Sequence, residues 1–63
     1  MMEYLIMDRH TQHAFNADND GKAIEKALLF AHDLGYDEGW TLINKNGYII
    51  YDSFQAYVDQ HRP

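Results

Sequence analysis

The clearest periodic pattern in the chain lies in residues 18–35, where apolar residues recur at the spacing of an α-helix. On an ideal helix the apolar side consists of Ile24, Ala27, Leu28, Ala31 and Leu34. The small Ala27 and Ala31 lie at its centre, so this side is expected to approach a sheet closely. Four larger residues are expected to wrap around the edges of this contact: Ile24, Leu28, Phe30 and Leu34. Asn19 or Asp18 is suited to cap the first turn, and Gly35 to end the helix in the left-handed conformation.

Shorter apolar segments on either side of this helix predict two β-hairpins. Residues 3–8 are apolar on both faces, which is typical of an interior strand. Residues 13–17 are expected to return beside them after a polar turn. Residues 39–44 and 48–52 predict the second hairpin, joined by a type I turn with Gly47 as a left-handed bulge residue.

A short C-terminal helix is predicted for residues 53–60. Asp52 or Ser53 is suited to cap it, and Gln55, three residues after Asp52, resembles the second member of a capping box. Its apolar face consists of Phe54, Tyr57 and Val58. The order of hairpin, helix, hairpin and short helix predicts an α+β fold, with the main helix on one face of a small antiparallel or mixed sheet. Sixty-three residues predict a single domain, 1–63.

The second hairpin is apolar on both of its predicted faces. With a bulge at Gly47, one face consists of Trp40, Leu42 and Ile50. The other face consists of Thr41, Ile43, Ile49 and Tyr51. Because one helix covers one face of a sheet, the second face needs the terminal helix, a second copy or a partner protein to cover it.

Composition narrows the classes of function. The net charge of −5 argues against direct binding of nucleic acid or of an anionic membrane. The first ten residues lack the basic and apolar regions of a signal peptide, and no apolar run could span a bilayer, so we expect a cytoplasmic protein. There is no Cys, which excludes a thiolate metal site, whereas five Tyr and one Trp suit half-buried surfaces.

Two short segments resemble metal sites. Residues 16–21 match the opening of a calcium-binding EF-hand loop, but its twelfth position, which needs a bidentate Glu, is Ala27. Asp8, His10 and His13 place three potential ligands within one turn, although turn polarity accounts for them equally well. We therefore predict no metal and no cofactor.

Nothing in the chain indicates catalysis. Ser53 is the only Ser, no segment has the Gly-rich pattern that cradles phosphate, and the glycines lie at the ends of predicted elements. A chain of this length also has difficulty enclosing a water-free pocket. We therefore expect a protein that is not an enzyme.

The leftover apolar face and the acidic charge together predict a protein-binding module. The aromatic residues not needed under the helix would supply contacts, and acidic neighbours would steer it toward a basic partner. The predicted binding residues are Tyr4, Trp40, Tyr48, Tyr51, Tyr57, Asp37, Glu38, Asp52 and Asp59. In size, charge and architecture alone, the chain is similar to small inhibitors that phages and mobile elements make, including nucleic-acid mimics. The alternative is a structural or regulatory homodimer of cellular origin.

Overall fold

The computed structural model describes residues 2–36 and 39–61, and in it a main helix packs on one face of a four-stranded antiparallel sheet. The elements in chain order are β1 (Met2–Met7), β2 (Gln12–Ala17), α1 (Asp20–Leu34), β3 (Thr41–Asn44), β4 (Ile49–Asp52) and α2 (Ser53–Gln60). The strands lie in the order β2-β1-β3-β4. The predicted α+β class is confirmed, and every pairing in the sheet is antiparallel.

Strand β1 is central because it pairs with β2 on one side and with β3 on the other. Its register places Tyr4 opposite Phe15 and Ile6 opposite Leu42, and these residues share the face that α1 covers. The interior position explains why β1 is apolar on both faces, as the sequence predicted. The return strand predicted for residues 13–17 is also confirmed, and β2 pairs with β1 over all six residues from Gln12 to Ala17.

The ends of α1 follow the predicted capping chemistry. The Asn19 side chain accepts a hydrogen bond from the Lys22 N–H at 2.9 Å, so it satisfies one free donor of the first turn. At the other end Gly35 has a φ of 73°, and the Tyr36 N–H donates to the Ala31 carbonyl at 2.9 Å. A side chain at this left-handed position would be strained, which is why glycine ends the helix.

The buried stripe of α1 is narrower than predicted. Its buried residues are Ala23, Ala27 and Ala31, which lie within about 40° of one direction on the helix. Leu28 and Leu34 are 46% and 52% exposed, so the prediction that they wrap around the sheet is wrong. Leu28 points about 100° away from Ala27, and Leu34 is the last residue of the helix.

Aromatic rings fill the space between α1 and the sheet. The Phe15 ring packs edge-on against Phe30 at 5.1 Å and stacks on Tyr4 at 5.9 Å. The Tyr4 hydroxyl donates to Asp20 Oδ1 at 2.7 Å, which ties β1 to the first turn of α1. This hydrogen bond, burial and the nearby carboxylate charge raise the pKa of Tyr4 to about 12.

The second hairpin has the predicted turn and an unpredicted irregularity. The Gly47 N–H donates to the Asn44 carbonyl at 2.9 Å, and Gly47 has a φ of 87°, as a type I turn with a bulge requires. Further along, Leu42 lies opposite Tyr51 while Ile43 lies opposite Ile49, so β4 carries one extra residue there. This second bulge turns Tyr51 to the face of α1, and the prediction that it shares a face with Ile43 is wrong.

Candidate functional site

Helix α2 follows β4 without a linker and is fixed at its first residues. Asp52 Oδ1 accepts from the Phe54 N–H at 3.0 Å and from the Gln55 N–H at 3.4 Å, which confirms the predicted cap. The Gln55 side chain does not complete a capping box, because its amide donates to Asp59 at 3.1 Å. Ser53 is buried, and its hydroxyl oxygen accepts from the backbone N–H groups of residues 39 and 40.

The apolar side of α2 faces solvent. Its residues recur at helical spacing, and we call them the α2 stripe: Phe54, Tyr57 and Val58. Phe54 is 60% exposed, and the Tyr57 ring stacks on His61 at 4.1 Å. The helix buries only Ser53, and its main contact with the rest of the fold is to β4. The large apolar side chains of α2 are therefore exposed, and no element among the described residues packs over them.

Within residues 2–36 and 39–61, no element covers the side of the sheet opposite α1. Its apolar residues come from all four strands, and we call them the open face: Leu5, Met7, Ala14, Ile43 and Ile49. The pairs Leu5–Ala14, Leu5–Ile43 and Ile43–Ile49 lie directly across from each other, so the patch is continuous. Ile49 is 64% exposed. Exposed apolar patches of this kind mark protein interaction sites more often than single exposed leucines do.

A shallow concavity of about 240 Å³ lies on the open face. Its lining includes the apolar Leu5, Ala14 and Ile43 and the oppositely charged Glu3 and Lys45. Because ligand pockets usually measure about 300–1,000 Å³, this space suits one inserted side chain better than a small-molecule ligand.

Three of the predicted binding aromatics lie on the covered face. Tyr4 is 1% and Trp40 is 5% exposed, and both belong to the core under α1. Tyr51 is half-buried, and its ring stacks on Trp40 at 5.2 Å. The expectation that these three are not needed under the helix is wrong, because register and the β4 bulge direct them toward α1. Tyr4 and Trp40 pack within the core, and Tyr51 packs against it.

The remaining predicted binding residues lie near the second hairpin and α2. Tyr48 is 70% exposed beside the hairpin turn, and Tyr57 belongs to the α2 stripe. Asp52 caps α2, and Asp59 accepts the hydrogen bond from Gln55. The other two predicted residues, Asp37 and Glu38, lie outside the described residues.

The polar turn between β1 and β2 has a structural explanation. Asp8 Oδ1 accepts from the His10 and Thr11 N–H groups at 2.8 and 2.7 Å and from the Thr11 hydroxyl at 3.2 Å. The two backbone hydrogen bonds lower the pKa of Asp8 below its usual value. His13 instead packs edge-on against Phe30 at 5.0 Å. Across residues 2–36 and 39–61, no three His, Asp or Glu side chains are placed to hold a metal ion.

An uncovered sheet face was predicted to bind a partner, but none of the five open-face residues is among the predicted binding residues. The sequence signal was present, because β1 and the second hairpin are apolar on both faces. The prediction chose binding residues for their aromatic rings, but the buried aromatic residues belong to the core, and the open face is aliphatic apart from Met7.

Within the described part of the chain, no helix has the length and hydrophobicity needed to cross a bilayer. No protein-family model, curated protein or solved structure matches the chain.

Proposed function

We propose that this chain is a small acidic protein-binding module without catalytic activity of its own. The observation that carries the proposal is the open face, a continuous apolar patch on the side of the sheet opposite α1. Burial of this patch against a partner would recover the hydrophobic free energy that the isolated fold leaves unused. Tyr48, exposed beside the patch, would supply an aromatic contact of the kind enriched in interfaces.

The partner we propose is a protein with a basic surface. The charge of −5 would attract such a partner and speed its association, while the apolar patch would hold it. Inhibition of a nucleic-acid-binding protein is the form of this function that the charge favours, since acidic side chains can occupy a surface that otherwise binds phosphates. The second candidate is a homodimer, which the presence of two uncovered apolar surfaces on one chain favours.

Both edges of the sheet carry features that disfavour binding by strand addition. On the β2 side the Lys26 ammonium donates to the Asn16 carbonyl at 2.8 Å and so occupies a backbone acceptor of the edge strand. On the β4 side the strand has four residues and contains a bulge. Lysine, short strands and bulges are the usual means of protecting sheet edges from a further strand. The partner would therefore pack on the face.

The test is affinity capture with matched variants. Wild-type protein, Ile49→Asp and Leu29→Asp would be immobilised separately and exposed to one cell lysate at low and moderate salt. Ile49 and Leu29 are 64% and 65% exposed, so the two substitutions place the same charge at equally exposed positions on different surfaces. We expect wild type and Leu29→Asp to retain a common protein, which Ile49→Asp loses and which salt releases. Retention of nothing reproducible, or equal loss in both variants, would contradict the proposal.

A further inference from the structure

We propose that a second copy of this chain occupies the open face and that it does so with its α2 stripe. The inference rests on the proposed function, because it names an occupant for the proposed binding surface. The two surfaces are both apolar and both uncovered, yet they differ in shape: α2 is a convex ridge and the open face has a shallow depression. In a symmetric pair each copy would give α2 to the other and receive α2 in return.

The geometry of one chain argues against contact between its own two surfaces. Helix α2 begins at Ser53, immediately after β4 ends at Asp52, so no linker allows the helix to fold over. The buried Ser53 hydroxyl, held by two backbone N–H groups at 2.8 and 2.9 Å, fixes the first turn. The stripe of Phe54, Tyr57 and Val58 therefore stays exposed in the isolated chain.

Charge favours a second copy at these particular surfaces. Two chains of charge −5 repel each other over most orientations. The residues of the open face and of the α2 stripe are themselves uncharged, with Glu3 and Asp52 on the same side of the sheet as the open face. Helix α1 on the opposite side carries further acidic groups such as Glu25 and Asp33. Glu3 and Lys45, which both line the depression, have opposite signs. Contact through these surfaces thus keeps the acidic groups of the two α1 helices apart.

Area explains why both surfaces are required. A patch four strands wide and four residues long measures roughly 260 Å² in projection, well below the about 800 Å² per partner of a standard interface. With Phe54 60% and Tyr57 41% exposed, these rings add roughly 200 Å². Reciprocal exchange would then bury roughly 900 Å² in total, slightly below the about 1,000 Å² that a stable specific interface exceeds. The expected dimer is weak and depends on concentration.

A weak self-contact would also regulate access to the proposed partner. One face cannot hold α2 of a second copy and another protein at the same time, so the two compete. A partner that binds more tightly displaces the second copy, and dilution favours the partner. The dimer would therefore shield apolar surface until the partner is present.

The test combines sedimentation with complementation between two variants. Phe54→Asp removes the donated stripe, Ile49→Asp removes the receiving face, and Leu29→Asp is the control at an equally exposed position. We expect wild type and Leu29→Asp to dimerise between about 10 µM and 1 mM, and each interface variant to weaken dimerisation by roughly thirtyfold. Circular dichroism of each variant would verify that it is folded.

Mixing the two interface variants gives the decisive result. One intact α2 stripe can then meet one intact open face, so the mixture should dimerise at least about threefold more tightly than either variant alone. Failure of the mixture to associate better would overturn the exchange, because face-to-face and α2-to-α2 dimers predict no recovery. A wild-type chain that stays monomeric at about 1 mM would overturn it too. Either failure leaves the protein-binding proposal intact if the capture experiment still succeeds.

Discussion

The two faces of this sheet have similarly apolar sequences but different surroundings. On the covered face, Tyr4 and Leu42 are almost fully buried under a helix whose small alanines allow close packing. On the open face, Ile43 is half-buried and Ile49 is largely exposed. The difference teaches that alternation specifies which residues share a face, whereas the number of covering helices decides which face becomes core.

Adjacent residues in β3 allow the largest test of this difference. Leu42 and Ile43 are neighbours in the chain but point to opposite faces. We predict that Leu42→Ala lowers the free energy of unfolding by about 2–5 kcal/mol, because it opens a cavity in the core. Ile43→Ala should cost about 1 kcal/mol or less in the monomer, because water already reaches this side chain. Urea denaturation at low protein concentration, followed by circular dichroism, measures both, and equal losses would contradict the distinction.

The second prediction concerns how α2 is held beside the sheet. Asp52→Ala removes the acceptor for the Phe54 and Gln55 N–H groups, so α2 should lose about 1 kcal/mol of local stability. Hydrogen exchange should accelerate at the amides of α2 and stay unchanged in α1. The equivalent substitution Asn19→Ala provides the control, since it should reverse this pattern. If Asp52→Ala accelerated hydrogen exchange equally in α1 and α2 relative to wild type, a local role for the cap would be contradicted.

The smallest expected effect is a pH dependence confined to the covered face. Because the folded pKa of Tyr4 is about 12, above its ordinary value of 10, the hydroxyl contributes stability that is fully present below pH 10. This contribution is lost as pH rises from 10 to about 12, since ionised Tyr4 would face the Asp20 carboxylate. Unfolding measured across this range should show a shallower decline for Tyr4→Phe than for wild type. Identical slopes would contradict the coupling.

Much of the fold could be predicted because local signals agree with one another. Both cap residues Asn19 and Asp52, the terminator Gly35 and the bulged turn at Gly47 each have a local physical cause, and all are present. The central position of β1 also followed from its two apolar faces. These features depend on neighbours close in sequence, and short-range chemistry identifies them.

The site was harder to predict because it depends on long-range geometry. Strict alternation placed Tyr51 beside Ile43, but one extra residue in β4 reverses the face of Tyr51. Tyr4 has the aromatic character of an interface residue, yet its hydroxyl meets Asp20, sixteen positions away, and is buried there. A buried Tyr needs a hydrogen-bond partner for its hydroxyl, and here Asp20 of the same chain accepts that hydrogen bond.

The difference between the faces leads to one direct measurement. The chain has no Cys, so Ile49→Cys places a single reactive thiol on the open face and Leu29→Cys places one on the outer side of α1. Labelling rates of the two thiols would be compared at low protein concentration, at high concentration and with any captured partner. We predict that occupation of the open face slows labelling of the first thiol and leaves the second unchanged. Equal rates for the first thiol under all three conditions would contradict a binding role for this face.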